Sequence, residues 1–460
     1  MKSGKAATVR SVINVATPQA RSVGFARYAI AFLLPLTGLV KIGFVGTLYL
    51  HDILTPILLV GLLFFSGNET SLRPLRTALW LILIWLLGAM VTDLIQVTPF
   101  EDYSRGWSRI ILLGMNIITF WLLSKGRMSV LIAYVAGLGV QSLLLPLFAT
   151  EEDFGVNEPW KFGIGAGLAI LGAATASIPR IATTFGPKLP ALYLAGIAAL
   201  SLWYNGRSLF AIFALSSACV LLMDFVSRRP RITQRINRVS FTLMALAGIF
   251  ATQVLTAVYS FFASSGLLGD AALQKYLNQS QADVNLLVGG RPESLVSIQA
   301  IIDSPIIGHG SWARDQHYTF LLVSRMQEVG LYADAQGVLR GEGLIPTHSH
   351  LFGAWVEAGI AGAPMWLWAI FLSAAVLFAL FKSGKAPDAL VVLTAFLVFW
   401  DVLFSPFAAT ARFQKAGQIC LLIAALGAYR PAVSARLANV GGAIRQRARP
   451  PWRHSAARFR

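Results

Sequence analysis

Apolar residues recur along this chain in long, almost uncharged runs that are separated by short polar segments. A helix needs about 17–25 such residues to cross the hydrocarbon core of a bilayer. The pattern therefore predicts an all-α, polytopic integral membrane protein with about twelve transmembrane helices. Their predicted positions are 27–45, 48–66, 77–95, 108–124, 129–149, 161–180, 189–205, 208–226, 240–262, 351–381, 388–404 and 415–429.

Composition agrees with this prediction. Of the residues, 56% are hydrophobic and 13% are charged, whereas a soluble protein carries about 25% charged residues. The two cysteines, Cys219 and Cys420, lie in predicted spans, where we interpret them as small buried apolar residues. They predict neither a disulfide framework nor a zinc site.

The net charge of +17 would indicate nucleic-acid binding in a soluble protein, but here its placement indicates a membrane orientation. Arginines concentrate in 227–238 and 430–460, after apolar runs, as cytoplasmic flanks do under the positive-inside rule. The basic segment 1–26 lacks a signal-peptide cleavage site, so we expect a cytoplasmic tail. Both termini are then cytoplasmic, and the acidic segment 151–159 lies outside. The expected partner of the basic segments is anionic lipid, and no nucleic acid.

One long segment, 263–347, interrupts the alternation of spans and short loops. Connections of this length are usually functional. The segment is net acidic, and four of the six histidines lie in it or at its end: His309, His317, His348 and His350. The predicted organisation is a basic tail (1–26), spans one to nine (27–262), a large outer loop with short helices (263–347), spans ten to twelve (348–429) and an Arg-rich cytoplasmic tail (430–460).

Two histidines stand where the tenth span is predicted to begin, in "THSHLFGAWVEAGIAG" (347–362). If a helix begins near His348, the residues at i, i+4 and i+7 spacing share one face. That face carries His348, Phe352, Trp355, Gly359 and Gly362. Its glycines would let another helix or a lipid-linked substrate approach the backbone closely.

The second histidine, His350, would lie roughly 200° around that helix from His348. It would share its own face with Glu357. Two histidines on opposed faces do not easily bind one metal, and a zinc site would need an extended segment and further ligands. The position of His348 alone fits either a histidine solvated at the membrane interface or a catalytic base.

The spacing from His348 and Ser349 over nine residues to Gly359, then two residues to Gly362, resembles the signature of the O-antigen ligase and polysaccharide polymerase superfamily. Two other segments resemble that family in the same order along the chain. "WYNGRSLFAIFAL" (203–215) is similar to its span with an arginine near the outer end. "GRPESLVSIQAIIDSPIIGHG" (290–310) is similar to its loop segment with an arginine, a helix and a glycine-rich turn. The resemblance covers about residues 200 to 380.

The resemblance implies a glycosyltransferase of the bacterial inner membrane that acts at the periplasmic face. The implied donor is a glycan on undecaprenyl diphosphate, and the acceptor is a hydroxyl of lipid A–core or of another glycan. His348 is implied as the general base or as a group that orients the acceptor. Arg207 and Arg291 are implied as diphosphate ligands, a role that suits the planar, charged guanidinium. Because the donor carries its own leaving group, no cofactor and no metal are expected.

These residues also have simpler interpretations. Arg207 can extend from a helix end to the headgroups, and Arg291 can pair with Glu293. The second-tier site candidates are His350, His309, Glu357, Arg314 and Arg412, with Arg325 and Asp401 as further groups near the substrate path. Ionisable residues near other span ends are expected to cap helices or reach the interface, namely His51, Asp52, Asp93 and Asp224.

The motif is shared between ligases and polymerases, so a polymerase of O-antigen or exopolysaccharide is the alternative within the superfamily. A secondary transporter or flippase is the alternative from another class, since twelve spans with inside termini fit it equally. Neither a repeated half nor a pair of helices broken mid-span, the usual indications of a transport site, is evident in the sequence. A scaffolding role would leave the arginines and His348 without a purpose.

Overall fold

The computed structural model describes residues 24–44, 46–65, 71–148, 158–270, 273–274, 276–277, 292–328 and 343–447. Within these ranges the chain is almost entirely helical, which confirms the predicted all-α class. The exception is one antiparallel hairpin of β1 (Lys41–Phe44) and β2 (Gly46–Tyr49), in which Lys41 pairs with Tyr49.

The helices, in chain order, are α1 (Phe25–Leu33), α2 (Leu50–Phe65), α3 (Arg76–Ile95), α4 (Phe100–Ser124), α5 (Met128–Phe148), α6 (Gly165–Ala176), α7 (Pro179–Phe185), α8 (Lys188–Trp203), α9 (Arg207–Ser227), α10 (Pro230–Arg235), α11 (Arg238–Ser264), α12 (Glu293–Asp303), α13 (Gln316–Glu328), α14 (His350–Ala358), α15 (Ala363–Ser383), α16 (Ala389–Phe404) and α17 (Ala409–Arg447). Short 3-10 turns cover Leu34–Leu39, Arg73–Leu75 and Gly359–Ala361, and a π-helical turn covers Trp160–Ile164.

Six of the described helices are long and apolar enough to cross a membrane, which marks the chain as a membrane protein. They are Arg73–Ile95, Phe100–Ser124, Met128–Phe148, Arg207–Ser227, Arg238–Ser264 and Ala363–Ser383. A bent pair, Trp160–Ala176 with Pro179–Phe185, would make a seventh if counted as one span. Shorter apolar helices cover Phe25–Leu39, Leu50–Phe64, Lys188–Trp203 and Ala389–Phe404. The number of twelve spans and their orientation stay predictions.

Three predicted spans are not single continuous helices. In the predicted span 27–45, the α-helix ends at Leu33. A 3-10 helix that includes Pro35 follows, and the chain then enters the hairpin. The span at 161–180 bends by 85° before Pro179, because proline cannot continue the backbone hydrogen bonding of a helix. The span at 351–381 is broken at Gly359 into α14 and α15.

The helices pack side by side around one apolar core, in which Trp85, Phe213 and Leu393 are completely or almost completely buried. The termini of several helices meet at what we call the basic end, made of the segments near 71–76, 124–128, 177–188, 228–238 and 382–389. Contacts at this end are Trp121 Nε1 to Ser71 O (3.0 Å), Ser177 Oγ to Asp388 Oδ1 (2.7 Å) and Lys382 Nζ to Gln234 O (3.1 Å).

The opposite end, which we call the loop end, carries the segments 292–328 and 343–362. These segments pack on the C-terminal ends of α3 and α16 and on the N-terminal end of α4. The helices α4 and α17 run in the same direction. Arg109 lies near Phe407 at the loop end, and Cys420 Sγ contacts Ile117 O (3.4 Å) further along. The candidate functional residues of the sequence lie mostly at the loop end.

Candidate functional site

Helix α14 begins at His350, two residues after His348 and one residue before the predicted span 351–381. Its N-cap is Ser349, whose Oγ accepts a hydrogen bond from Phe352 N (3.1 Å) and donates one to Val402 O (2.8 Å). A serine in this position satisfies a backbone N–H that the helix itself leaves unpaired. His348 therefore precedes the helix, and the expected face from His348 to Gly362 does not exist.

The glycines of this segment admit the chain's own backbone, rather than another helix or a substrate. Gly359 ends α14 with a φ of +57°, and a Cβ added there would lie 2.0 Å from Ile306 O. A Cβ on Gly362 would lie 2.0 Å from Ala354 O. In the loop segment that faces Gly359, Gly308 has a φ of +87°, and a Cβ on it would lie 2.5 Å from Gly359 N.

Backbone hydrogen bonds join the turn 306–310 to the end of α14. They run from His309 N to Val356 O (2.8 Å), from Gly310 N to Glu357 O (3.1 Å) and from Ile360 N to Ile306 O (3.2 Å). The glycine-rich turn of the loop and the histidine segment, which lie about 50 residues apart in the sequence, thus form one unit. We call residues 304–311 and 347–362 the docked unit.

The docked unit is held on the C-terminal end of α3 by Asp93. Its carboxylate accepts hydrogen bonds from Ser311 N (2.6 Å), Ser311 Oγ (2.7 Å) and Trp107 Nε1 (2.7 Å). Thr92 Oγ1 donates to Ile307 O (2.5 Å), and Gln96 Nε2 donates to Gly308 O (2.9 Å). Asp93 was expected to cap a helix or reach the interface. It is instead 3% exposed and anchors the loop.

His348 lies at the edge of the docked unit, half-buried, with its Nδ1 3.9 Å from Glu293 Oε1. Glu293 is the first residue of α12, and Ser297 of the same helix donates to Pro346 O (3.0 Å), which fixes the helix against this segment. A carboxylate beside an imidazole can orient the ring and stabilise the imidazolium form. Arg291, two residues before Glu293, lies outside the described residues.

His350 is buried and does not contact Glu357 through any described interaction. Its Nδ1 lies 2.6 Å from Ser405 O, and because a carbonyl only accepts, Nδ1 carries the proton. The ring packs edge-on against Trp366 (4.8 Å between centroids) and Phe407 (5.2 Å). His350 therefore ties the start of α14 to the end of α16.

Beside Ser349 lies a cavity of about 270 Å³, which we call the aromatic cavity. Its lining includes Trp85, Arg109, Trp312, Thr347, Ser349, Glu357 and Phe407. Arg109 and Glu357 form an ion pair across the cavity, between α4 and α14. The guanidinium also lies 5.0 Å from the centre of the Trp312 ring and 5.9 Å from that of Phe407.

The sequence interpretation missed Arg109, although it lies inside a predicted span. Because the predicted span begins at 108, Arg109 stands at its end, where a charged residue is expected to reach the interface. Helix α4 begins at Phe100, which places Arg109 further inside. Its partner Glu357 was a second-tier candidate, expected to share a helix face with His350. The pairing with Arg109 replaces that expectation.

Trp312 adopts a left-handed backbone conformation, with a φ of +54°. This conformation is unfavourable for a bulky residue and persists only where the surroundings enforce it. Ser311 on one side is bound to Asp93. On the other side, Arg314 Nη1 donates to Asp102 Oδ2 (2.7 Å), and its backbone forms a bridge to Leu344. Arg314, a second-tier candidate, thus helps to hold Trp312 in place.

Arg207 lies in a different part of the loop end. It is the first residue of α9, with its guanidinium 5.1 Å from the centre of the Tyr259 ring, and Tyr259 Oη donates to Asn205 Oδ1 (3.1 Å). A second cavity, of about 410 Å³, is lined by Glu158, Pro159, Trp160, Lys161, Ile164 and Tyr204. Among the described residues, neither Arg207 nor His348 lines either cavity, so the structure does not bring the two into one pocket.

His309, another second-tier candidate, has a structural position within the loop. His309 Nε2 lies 2.8 Å from Ala300 O, and its ring packs edge-on against Tyr318. Tyr318 Oη donates to Asp303 Oδ2 (2.7 Å). This hydrogen bond, with a second one from Gln299, lowers the pKa of the Asp303 carboxyl below its usual value. The ionised carboxylate joins α12 to α13.

Three further candidates are paired within the protein. Arg412 binds Asp52 through two buried hydrogen bonds (3.0 and 2.5 Å). Asp52 also accepts a hydrogen bond from Tyr49 N (2.9 Å), just before α2, so it caps that helix as expected. Asp401 is paired with Lys415. Arg325 lies 3.5 Å from Glu328 within α13.

Among the described residues, no group of three or more His, Cys, Asp or Glu side chains could hold a metal ion. Independence of a metal or cofactor stays a prediction. Comparison with protein-family models, curated proteins and solved structures gave no match to this chain. The residues of the loop end and the sequence resemblance are therefore what indicate a function.

Proposed function

We propose that this protein is a membrane glycosyltransferase of the O-antigen ligase type. It transfers a glycan from undecaprenyl diphosphate to an acceptor hydroxyl, of lipid A–core or of another glycan, in surface-polysaccharide biosynthesis. The supporting observation is the docked unit. Two segments that resemble the same family, 290–310 and 347–362, meet by backbone hydrogen bonds. At a second contact between these segments, His348 lies beside Glu293.

In the proposed reaction, His348 takes the proton of the acceptor hydroxyl. The hydroxyl oxygen forms a bond to the anomeric carbon of the donor, and the bond from that carbon to the diphosphate oxygen breaks. Undecaprenyl diphosphate leaves with the electron pair of that bond. The Glu293 carboxylate, 3.9 Å from His348 Nδ1, stabilises the imidazolium that forms. A positioned base of this kind contributes typically 10²–10⁴-fold to the rate.

Arginines would neutralise the leaving diphosphate. Arg207 and Arg291 are the proposed ligands, because guanidinium binds phosphate oxygens through two hydrogen bonds and stays charged. We also propose that the loop end faces the periplasm, that both termini are cytoplasmic and that the Arg-rich segment 430–460 binds anionic lipid of the inner membrane. These assignments follow from the sequence resemblance and the charge distribution.

The test is a transfer assay with the purified full chain in lipid nanodiscs. The donor is an undecaprenyl-diphosphate-linked glycan, and lipid A–core or a second lipid-linked glycan serves as acceptor. We expect His348→Ala to lower the rate by about 10²–10⁴-fold. The matched control is His317→Ala, which removes an exposed histidine of α13 and should leave the rate unchanged.

Full activity of His348→Ala would contradict the role of His348 as base. If the wild-type protein transfers glycan to neither acceptor but moves a solute across the membrane, the proposed reaction is wrong and transport is favoured. Transfer to a second lipid-linked glycan alone identifies a polymerase. Transfer to lipid A–core alone identifies a ligase.

A further inference from the structure

The aromatic cavity combines apolar rings with one ion pair, between Arg109 and Glu357. Trp85, Trp312 and Phe407 supply ring faces to its lining. Two buried donors of the same lining, Trp85 Nε1 and Arg109 Nε, have no acceptor among the described residues. Both atoms are enclosed by the protein, so the lining offers a ligand the aromatic ring faces and the Arg109–Glu357 pair.

The charge of the cavity selects among ligands. Arg109 and Glu357 are the two ionisable side chains in its lining, and they are paired with each other. The lining is therefore neutral overall, and a diphosphate placed there would meet the carboxylate of Glu357. A neutral, hydroxyl-rich ring can instead accept from the guanidinium, donate to the carboxylate and lay its apolar face on an indole.

The strained backbone at Trp312 supports a ligand role for its ring. The φ of +54° is unfavourable in a residue other than glycine, and hydrogen bonds from Ser311 to Asp93 and from Arg314 to Asp102 maintain it. The backbone conformation itself does not require a tryptophan, because a glycine would adopt it without strain. The indole ring must therefore serve another purpose. The conformation directs the indole to the cavity and over Arg109.

The position of the cavity connects it to the proposed base. Thr347 and Ser349, the two chain neighbours of His348, both line it. Consecutive Cα atoms lie about 3.8 Å apart, so the cavity lies beside the backbone that carries His348, although the imidazole itself is not part of its lining. The volume of about 270 Å³ lies below the roughly 300–1,000 Å³ of pockets for drug-sized ligands, which suits a single sugar unit.

We infer that the aromatic cavity is the acceptor subsite, which binds the terminal sugar unit of the acceptor glycan with the Trp312 ring as its platform. This inference rests on the proposed glycosyl transfer, because only that reaction makes the bound sugar an acceptor. Binding of the sugar itself can be measured without the donor. The diphosphate of the donor lies outside this cavity.

The variant Trp312→Gly removes the ring and also relieves the backbone strain, so folding should survive. Trp312→Phe keeps an aromatic face. Trp80→Ala is the matched control, because Trp80 is 59% exposed on α3 and does not line the cavity. The donor-free experiment measures binding of lipid-free core oligosaccharide, free hexoses and free heptoses to each protein in nanodiscs.

For binding, we expect Trp312→Gly to weaken the affinity for the best-bound sugar by about 5–10-fold, the loss of roughly 1–1.4 kcal/mol from an aromatic contact. Trp312→Phe should lose less, and Trp80→Ala should match the wild type. In the transfer assay, Trp312→Gly should raise the acceptor KM by the same factor. The donor KM and kcat should change by less than about twofold.

Two outcomes would overturn the subsite. One is that the wild type binds none of these sugars. The other is that the wild type is active and Trp312→Gly has the same affinity for the acceptor, both in binding and in transfer. In that case the proposed glycosyl transfer stands and the subsite is wrong. Sugar binding that depends on Trp312 in a protein without transfer activity would support the subsite and contradict the proposed reaction.

Discussion

Gly359 is the residue on which the docked unit most directly depends. Its φ of +57° and ψ of −151° lie in a region of backbone conformation that is essentially restricted to glycine. The carbonyl of Ile306 occupies the space that a Cβ would need. One glycine thus ends α14 and makes room for the loop turn.

We expect Gly359→Ala to destabilise the protein, by about 1–3 kcal/mol from backbone strain alone and more from the displaced turn. The measurement is the thermal unfolding midpoint of the purified protein. The matched control is Gly196→Ala within α8, where an added Cβ meets nothing within 4 Å. This control should be neutral or stabilising by roughly 0.5–1 kcal/mol. Equal midpoints for the two variants would contradict the close approach at Gly359.

At the residue scale, the sequence indicated positions better than partners. The glycine spacing was evident, because small residues at fixed intervals mark a close approach, whereas the role of His348 stays a prediction. The neighbour of Gly359 is Ile306, and the partner of Glu357 is Arg109. These contacts join residues about 50 and 250 positions apart, and no local pattern encodes such a pairing.

At the scale of elements, the loop segment 304–311 is an integral part of the helix packing. Asp93 at the end of α3 accepts three hydrogen bonds, two of them from Ser311. Hydrogen bonds to a charged group contribute about 1.5–3 kcal/mol each. The end of α3 therefore determines where the turn and Trp312 lie.

We expect Asp93→Asn to loosen the turn 306–311, because an amide cannot replace a carboxylate that faces three donors. Amide hydrogen exchange should be at least about tenfold faster at Ser311, as local opening becomes easier by 1.4 kcal/mol or more. The control is Glu101→Gln, which changes a carboxylate with a 72% exposed side chain and should leave the exchange unchanged. Unchanged exchange in Asp93→Asn would mean that other contacts hold the turn.

Element boundaries were the least predictable part of the fold. The apolar runs were identified, but Leu33, Ser177 and Gly359 interrupt three of them. Proline and glycine stand near each break, yet both residues also occur within intact helices, as Pro56 does in α2. Whether such a residue ends a helix depends on its packing partners, such as the turn that meets Gly359.

At the scale of the whole molecule, the helices have two chemically different ends. The loop end carries Asp93, Asp102 and Glu357 with their partners, and the basic end carries lysines and arginines that bind backbone carbonyls, as Lys382 does at Gln234. Under the positive-inside rule we predict that the basic end faces the cytoplasm. The orientation follows from charge and is open to direct measurement.

We expect single cysteines at the two ends to be labelled from opposite sides of the membrane. In a Cys219→Ala, Cys420→Ala background, Glu101→Cys marks the loop end and Ala182→Cys marks the basic end, and both sites are exposed. A membrane-impermeant maleimide added to intact spheroplasts should label Glu101→Cys. Ala182→Cys should react only after permeabilisation.

Labelling in the opposite order would reverse the predicted orientation. Labelling of both cysteines from the same side would contradict the arrangement of two separate ends.

The backbone hydrogen bonds between 306–310 and 356–360 also determine how the protein can be recombined. A loop transplanted from another protein would bring its own turn. That turn would have to pack against Gly359, where the close approach fits the turn 306–310 of this protein. The loop therefore cannot be exchanged on its own. A functional chimera must take residues 293–328 and 347–362 from the same parent protein. Natural variation in specificity should accordingly arise by substitution within the two segments together, because either one inherited alone loses its counterpart.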